Sequence, residues 1–281
     1  MSQYKPTPDQ TLNQILEILT NGICKVLEDH CLSIYLGGSF AHGGWDAYSD
    51  VDFDVVIDRD LTLHELSDLK VLHARVFIMD AYYARHLEGA YFPNKILGDL
   101  SRTDEPLWYL DNGSLNFERS THDNTLVNRW VLREHGIILF GPAPSTWIPS
   151  IPEKMLKTEV QETMREWGDG ILNGHYVLDN RWAQTFTVLS YCRMLHTLAT
   201  RKVFSKRKGA DWAKENLDMS WVGLIDDALS ARPNQYDNCW VPSDPDLVDQ
   251  TLAFIQAAIS MANLESKMDE SLPKRSVSSG I

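Results

Sequence analysis

The sequence predicts an α+β fold in which an N-terminal α/β domain with a short mixed sheet precedes a C-terminal all-α helical bundle. Short β-rich runs alternate with helical patterns in the first half of the chain, and strand signals vanish in the second half. Between the halves, four prolines fall within eleven residues, from Pro142 to Pro152. The length of 281 residues suits one large or two modest domains. We therefore expect domains over 1–150 and 151–266, then a disordered tail over 267–281.

The N-terminal domain is predicted to hold four short strands and two helices. Apolar residues recur at helical spacing after Pro8, and β-rich runs are bounded by glycine or proline. In chain order, the expected elements are a helix over 8–30, strands over 32–36 and 51–57, a helix over 61–79, and strands over 87–92 and 137–140.

The C-terminal domain is predicted to be entirely helical. Helical patterns cover roughly 153–172, 181–202, 208–217, 220–231 and 245–264. The last fifteen residues, 267–281, are polar and serine-rich and show no periodicity, which predicts a frayed terminus.

The composition excludes several classes of function. The formal net charge is −13, and such a field repels nucleic acid but attracts cationic ligands. No apolar stretch reaches the roughly 18 residues of a membrane span, and the N-terminus lacks the apolar core of a secretory signal. We therefore expect a cytoplasmic protein with neither a membrane nor a nucleic-acid partner.

A glycine-rich bend after the first predicted strand is suited to binding an anion. Gly38 and Ser39 lie where the strand ends and a helix is expected to begin. Without side chains, backbone N–H groups can approach a phosphate closely, and the start of a helix adds positive potential. The stretch is neither a P-loop nor a dinucleotide fingerprint, because the required lysine and glycine spacing are missing.

Two aspartates follow the bend on the second predicted strand. Asp50 and Asp52 are two residues apart, so their side chains point to the same face, with Ser49 opposite the bend. Two carboxylates held in this way repel each other unless a divalent cation lies beside them, and oxygen ligands near phosphates favour Mg²⁺. A phosphate cradle beside Mg²⁺ indicates phosphoryl or nucleotidyl transfer. The alternative is a glycine-rich hairpin whose aspartates face water.

The pattern Gly-Ser, nine residues, Ser-Asp-x-Asp resembles the nucleotidyltransferase superfamily related to DNA polymerase β. The chain as a whole resembles the aminoglycoside nucleotidyltransferases that adenylylate streptomycin and spectinomycin, through the motif and through segments 131–142, 189–206 and 210–213. The resemblance spans about residues 30–217. It implies a polymerase-β-like nucleotidyltransferase domain followed by a helical bundle, with ATP as co-substrate and a monomeric enzyme.

The resemblance also implies a third carboxylate on a neighbouring strand. Glu88 matches the position of the family's catalytic glutamate, while Asp54 continues the face of Asp50 and Asp52. We favour Glu88 as the general base that removes the proton of an attacking hydroxyl. Asp50 and Asp52 would then serve catalysis by holding Mg²⁺.

Gly38, Ser39 and Ser49 are predicted to contact the nucleotide, and the resemblance adds two cations from the helical domain. Arg193 and Lys206 match family residues that contact ATP. The alternative is that Arg193 pairs with a helix carboxylate and that the lysine-rich segment is a solvated loop.

A cationic acceptor would be held by carboxylates and aromatic faces. Asp179 and Trp182, at the start of a predicted helix, have this chemistry, and Asp179 falls where the family places a substrate-binding aspartate. Asp179 could instead cap the helix. Ala183 stands at a second position where the family is acidic, so streptomycin is the less expected substrate. Glu105, Trp108 and Asp111 are weaker candidates.

The sequence therefore predicts an enzyme that transfers AMP from ATP to a hydroxyl of an aminoglycoside, spectinomycin or streptomycin, and so gives antibiotic resistance. The substrates are expected to bind between the two domains. The alternatives are the same chemistry on another acceptor, such as a protein or a small molecule, and a non-catalytic regulator that binds nucleotide.

Overall fold

The computed structural model describes residues 5–46, 48–232 and 236–271, with side chains described as far as residue 264. The chain divides into two compact units, Met1–Leu156 (unit 1) and Lys157–Ile281 (unit 2). Within the described residues, every helix is too short or too polar to cross a lipid bilayer. Of the predicted tail over 267–281, the first five residues continue a helix, and 272–281 lie outside the described residues.

Unit 1 is built on a six-stranded mixed sheet. The strands are β1 (Cys31–Leu36), β2 (Val51–Ile57), β3 (Leu87–Pro93), β4 (Leu107–Leu110), β5 (Phe117–Ser120) and β6 (Ile137–Phe140), in the spatial order β5-β4-β3-β2-β1-β6. β2 and β3 are parallel, and the other neighbouring pairs are antiparallel. The predicted α/β domain with a short mixed sheet is confirmed.

Five α-helices accompany the sheet in the described part of unit 1, apart from a further helix that begins at its end. They are α1 (Gln10–Leu27), α2 (Gly38–Ala41), α3 (Leu63–Phe77), α4 (Asn94–Leu97) and α5 (Leu126–His135). The Asp9 carboxylate caps α1 by accepting from the Leu12 amide at 2.8 Å, and Thr62 with Glu65 forms a capping box on α3. The apolar stripes of α1 and α3 and the side chains of β1 and β2 form the core of the unit.

The hairpin of β4 and β5 was not predicted. β4 has only four residues, and β5 buries only Phe117, so neither shows a clear alternation. A signal was nevertheless present, because Asp111-Asn112-Gly113 between them is typical of a hairpin turn, and Gly113 adopts a φ of +72°. This hairpin extends the sheet beyond β3 and supplies side chains to the site described below.

Unit 2 is helical, as predicted. Its helices are α6 (Glu153–Leu172), which begins just before the unit, α7 (Arg181–Thr200), α8 (Lys206–Asn216), α9 (Val222–Ser230) and α10 (Pro245–Ser271). α7 packs against α8, α9 and α10 and is buried around most of its circumference. A helix surrounded in this way shows little amphipathicity, and α7 accordingly carries apolar or small residues on every side.

Candidate active site

The glycine bend closes directly onto the second strand. The Gly37 amide donates to the Asp52 carbonyl at 2.8 Å, which joins the end of β1 to β2. Gly38 adopts a φ of +49°, and a Cβ at this residue would lie 1.7 Å from Oδ2 of Asp52. The Asp52 carboxylate therefore occupies the space that a side chain would fill. Only glycine fits here, because both the backbone conformation and the close approach exclude a Cβ.

A serine hydroxyl in the bend has no partner within the described part of the chain. Oγ of Ser39 is shielded from solvent and makes no hydrogen bond there. A shielded hydroxyl without a partner costs roughly 1–3 kcal/mol. An anionic ligand in the bend would satisfy this hydroxyl, so the local chemistry fits the predicted phosphate cradle.

The strand register places two carboxylates side by side. Asp52 is the direct partner of Glu88 in the parallel pair β2–β3. Asp50 immediately precedes β2, so Asp50, Asp52 and Glu88 share one end of the parallel pair. The Glu88 side chain is only 13% exposed. The structure thus brings together the three carboxylates that the sequence singled out.

Tyr109 on the unpredicted hairpin holds the Glu88 carboxylate. Its hydroxyl donates to Oε1 of Glu88 at 2.5 Å, and Oδ1 of Asp111 lies 3.2 Å from the same hydroxyl. Because a phenol has one proton to donate, the shorter contact identifies Glu88 as the main acceptor. Antiparallel pairing of β4 with β3 places Tyr109 opposite Ala90, two residues beyond Glu88. Nothing in the local sequence indicated this contact.

A further acidic residue, Asp123, lies in the loop that follows β5 and was not predicted. Ligand atoms of Glu88, His122 and Asp123 all lie within 4.8 Å of one another. The amide of Asn128 donates to the Asp123 carbonyl at 3.1 Å, which fixes the loop against α5. Glu88 is more than thirty residues from His122 and Asp123 in the sequence, and no known motif has this spacing. The proximity of the three side chains is therefore evident only from the fold.

Burial and mutual repulsion raise the pKa values of the acids at this site. Burial, opposed by the Tyr109 hydrogen bond and assisted by Asp123 and Asp50, raises the pKa of Glu88 to about 8. Burial and the charges of Asp54 and Asp50 raise the pKa of Asp123 to about 8. The pKa of Asp52 is also raised, first by burial and then by its acidic neighbours. A cation beside these carboxylates would relieve the repulsion, and their hard oxygen atoms suit Mg²⁺.

Asp54, the alternative to Glu88, has a different environment. It is only 2% exposed, its strand partner is Ala90, and Nδ2 of Asn128 donates to its Oδ1 at 3.3 Å. Burial raises the pKa of Asp54 to about 7. Its surroundings are those of a hydrogen-bonded structural aspartate.

The Ser49 side chain makes its hydrogen-bonding contacts within the turn that precedes β2. It is buried, its Oγ accepts from the Asp46 amide at 2.9 Å, and it lies 3.3 Å from Oδ1 of Asp46. These contacts shape the approach to β2. Its role toward a nucleotide stays a prediction.

The two predicted cationic residues lie along the contact of α7 and α8 in unit 2. Arg193 is half-buried, and a Cβ on Gly209 would lie 2.6 Å from the Arg193 Cα, so the helices touch at this point. Lys206 is half-buried at the first position of α8, whereas Lys202, Arg207 and Lys208 are exposed. Nζ of Lys206 lies 3.9 Å from the centroid of the Phe186 ring.

The predicted acceptor residues flank the start of α7. Asp179 is exposed, and the helix cap is Asn180, whose Oδ1 accepts from the Ala183 amide at 2.8 Å. The alternative reading of Asp179 as the cap is therefore wrong. Trp182 is half-buried and stacks on Phe186 with ring centroids 5.0 Å apart.

Comparisons with known proteins find similar sequences over most of the chain. A family model described as nucleotidyltransferase domain matches residues 21–94, and one described as aminoglycoside adenylyltransferase, C-terminal domain, matches residues 146–257. Spectinomycin 9-adenylyltransferase of Staphylococcus aureus is 26% identical over 74% of this chain and 80% of its own length. Aminoglycoside (3'') (9) adenylyltransferase of Klebsiella pneumoniae is 24% identical over 83% of this chain and 89% of its own.

A solved structure shares the fold. The crystal structure of spectinomycin adenyltransferase from Enterococcus faecialis, determined with ATP and spectinomycin, superposes with a TM-score of 0.66. It is 15% identical and covers 88% of this chain and 98% of its own. At this sequence identity, the structural similarity shows a shared fold only.

Replacing Gly38 by alanine should disrupt the bend. The added Cβ would displace the Asp52 carboxylate, and we expect a loss of about 2–4 kcal/mol in the free energy of unfolding from overpacking and backbone strain. Gly43→Ala is the matched control, because Gly43 also has a positive φ (+70°) but nothing lies within 4 Å of its Cβ position. Urea unfolding of both variants measures the difference, and equal losses would contradict the close approach of Asp52.

The metal-free protein should lose stability as the pH rises. Folded Glu88 and Asp123 titrate near pH 8, whereas the unfolded chain releases these protons near pH 4. Between these values the folded state binds more protons, so raising the pH favours unfolding. We therefore expect the free energy of unfolding to decrease by several kcal/mol between pH 5 and pH 8.

Urea unfolding in the presence of a chelator measures this dependence. Asp123→Asn removes one of the titrating groups and should flatten the curve. A free energy of unfolding that stays constant or rises over this range would show that the acids are ionised in the folded protein.

Proposed function

This chain belongs to the aminoglycoside nucleotidyltransferases, and we propose that it transfers AMP from ATP to a hydroxyl group of an aminoglycoside and thereby gives antibiotic resistance. The observation that carries the proposal is the pairing of Asp52 with Glu88 beside the Gly38 bend, within a stretch matched by the nucleotidyltransferase family model. We further propose that residues 1–150 form the nucleotidyltransferase domain and residues 151–266 a helical domain.

Glu88 is proposed as the general base. It removes the proton of the acceptor hydroxyl, the hydroxyl oxygen attacks the α-phosphorus of ATP, and the bond to pyrophosphate breaks. A base works best when its pKa lies near the working pH, and burial raises the pKa of Glu88 to about 8. The hydrogen bond from Tyr109 supports this role because it fixes one carboxylate oxygen and leaves the other to face the acceptor.

Asp50 and Asp52 are proposed to hold Mg²⁺, which when bound offsets the negative charge on the phosphate oxygens. The donor set supports this choice, since it consists of carboxylate oxygens that already repel one another. The backbone at Gly38 and the partnerless hydroxyl of Ser39 are proposed to bind phosphate oxygens. Ser49, which stabilises the turn before β2, is also proposed to bind the nucleotide.

Arg193 and Lys206 are proposed to bind the triphosphate. Lys206 opens α8, whose first turn holds three basic residues and no acidic one. This arrangement of cations in a chain of net charge −13 supports an anionic ligand.

Asp179 and Trp182 are proposed to bind the cationic acceptor. The exposed carboxylate is not used to cap α7, and the indole offers a face to a cation. Among acceptors we propose spectinomycin first, since Ala183 stands where the family carries a second acid. Since ATP is an intracellular metabolite, we propose a cytoplasmic enzyme, monomeric as the resemblance implies.

Acceptor identity is tested by incubating the protein with ATP, Mg²⁺ and a panel that contains spectinomycin, streptomycin and other aminoglycosides. Mass spectrometry should show spectinomycin heavier by one adenylyl group, with one pyrophosphate released per adduct. Pyrophosphate release with adducts only on another acceptor would replace the proposed substrate. ATP binding without any transfer would indicate a nucleotide-binding regulator.

Glu88→Gln should lower turnover by about 10²–10⁴-fold while ATP affinity stays within a few fold, because the amide cannot accept the hydroxyl proton. Glu118→Gln on β5 is the matched control, since Glu118 is exposed and should leave turnover unchanged. Steady-state pyrophosphate release and ATP titration calorimetry provide the two readouts. Unchanged turnover in Glu88→Gln would remove Glu88 from the reaction and direct attention to Asp54 or Asp123.

A further inference from the structure

An aromatic stack in unit 2 carries the predicted nucleotide-binding lysine. The ring of Phe186 on α7 lies between Trp182, stacked at 5.0 Å and 25°, and Trp167, which meets it edge-on at 6.0 Å and 69°. Nζ of Lys206 lies over the Phe186 ring at 3.9 Å from its centroid. Cation–π contacts extend to about 6 Å, so this one is close.

The packing of α7 on α8 accounts for the position of this contact. Phe186 and Arg193 are seven residues apart and therefore lie on one face of α7. Lys206 and Gly209 are three apart and lie on one face of α8. Because Gly209 has no side chain, it touches the backbone of Arg193, and this close contact brings Lys206 onto the Phe186 ring.

The contact distinguishes Lys206 from the basic residues around it. Lys202, Arg207 and Lys208 are exposed, whereas Lys206 is half-buried. Lys208 also lies near a ring, that of Phe204, but at 5.7 Å. A free lysine side chain loses rotamer entropy when a ligand immobilises it. A lysine side chain that already rests on a ring loses less of this entropy.

We propose that Phe186 is a positioning residue for the nucleotide: its ring holds the Lys206 ammonium where it pairs with the triphosphate. The inference rests on the proposed function for the role of Lys206. Phe186 itself touches neither the nucleotide nor the reacting atoms. It acts through Lys206, and its removal should weaken ATP binding.

Calorimetric titration of the full chain with ATP and Mg²⁺, without acceptor, tests the proposal. Phe186→Leu should weaken ATP binding about 3–20-fold, the range of a cation–π contact. Phe186→Tyr keeps the ring and should bind ATP within twofold of the parent. Lys206→Met should weaken binding at least as much as Phe186→Leu. In the Lys206→Met background, Phe186→Leu should have no further effect, because the ring then has no ammonium to hold.

Thermal unfolding checks that each variant is folded, and Phe186→Met is a second ring-free variant should the leucine variant fail to fold. Phe204→Leu is the matched control: it removes the ring beside the exposed Lys208 and should leave ATP affinity within twofold. Effects of Phe186→Leu and Lys206→Met that multiply in the double variant would overturn the proposal. So would unchanged affinity in Phe186→Leu.

The outcomes also separate this inference from the proposed function. Unchanged ATP affinity in Lys206→Met would overturn both the nucleotide role of Lys206 and the role of Phe186, while AMP transfer could still be observed. Coupled losses in the two variants, with no transfer to any acceptor, would support the positioning role and reject the proposed reaction.

Discussion

The repulsion among buried carboxylates is the constraint on which the site of unit 1 depends. The parallel register of β2 and β3 sets Asp52 beside Glu88, and the loop after β5 adds Asp123. Burial and mutual repulsion raise the pKa values of all three acids. Near neutral pH, these raised pKa values lower the free energy of unfolding, and a bound cation would offset this loss. The carboxylates whose repulsion costs stability thus form a set of hard oxygen donors, which suits a divalent cation.

A rigid support holds the acidic loop in place. Arg129 on α5 is fully buried and donates to the Asp99 carbonyl at 2.7 Å and to Oδ1 of Asn124 at 2.5 Å. The Asn124 amide in turn donates to the carbonyls of Arg102 and Glu105, both at 2.8 Å. Since every bond joins a buried group to a backbone or amide oxygen, the loop that carries Asp123 cannot move without breaking several of them. The hydrogen bonds of Arg129 and Asn124 thus hold the Asp123 carboxylate near Glu88 although the two acids repel each other.

The sequence predicted most of the fold, because local patterns determine most of it. Alternation along 51–57 located both the strand and the aspartates, and the resemblance identified Glu88. The contacts of Tyr109 and Asp123 could not be predicted, because they depend on the pairing of β4 with β3 and on the path of a loop. The residue type alone also did not identify the cap of α7, because Asp179 and Asn180 can both cap a helix. The structure shows that Asn180 is the cap. What the sequence missed is the set of contacts that only tertiary register creates.

The start of α8 in unit 2 concentrates positive charge, whereas the site of unit 1 concentrates negative charge. Lys206, Arg207 and Lys208 occupy the first turn, where the helix dipole favours acidic residues and disfavours cations by a few tenths of a kcal/mol each. Ser205 caps the helix, and its side chain accepts from the Lys208 amide at 3.2 Å, but it brings no negative charge. Local rules are broken most often where function requires it. Unit 1 concentrates buried carboxylates, and unit 2 places three basic residues in the first turn of α8. Each unit thus breaks a local electrostatic rule where the sequence predicted site residues: Asp52 and Glu88 in unit 1, and Lys206 in unit 2.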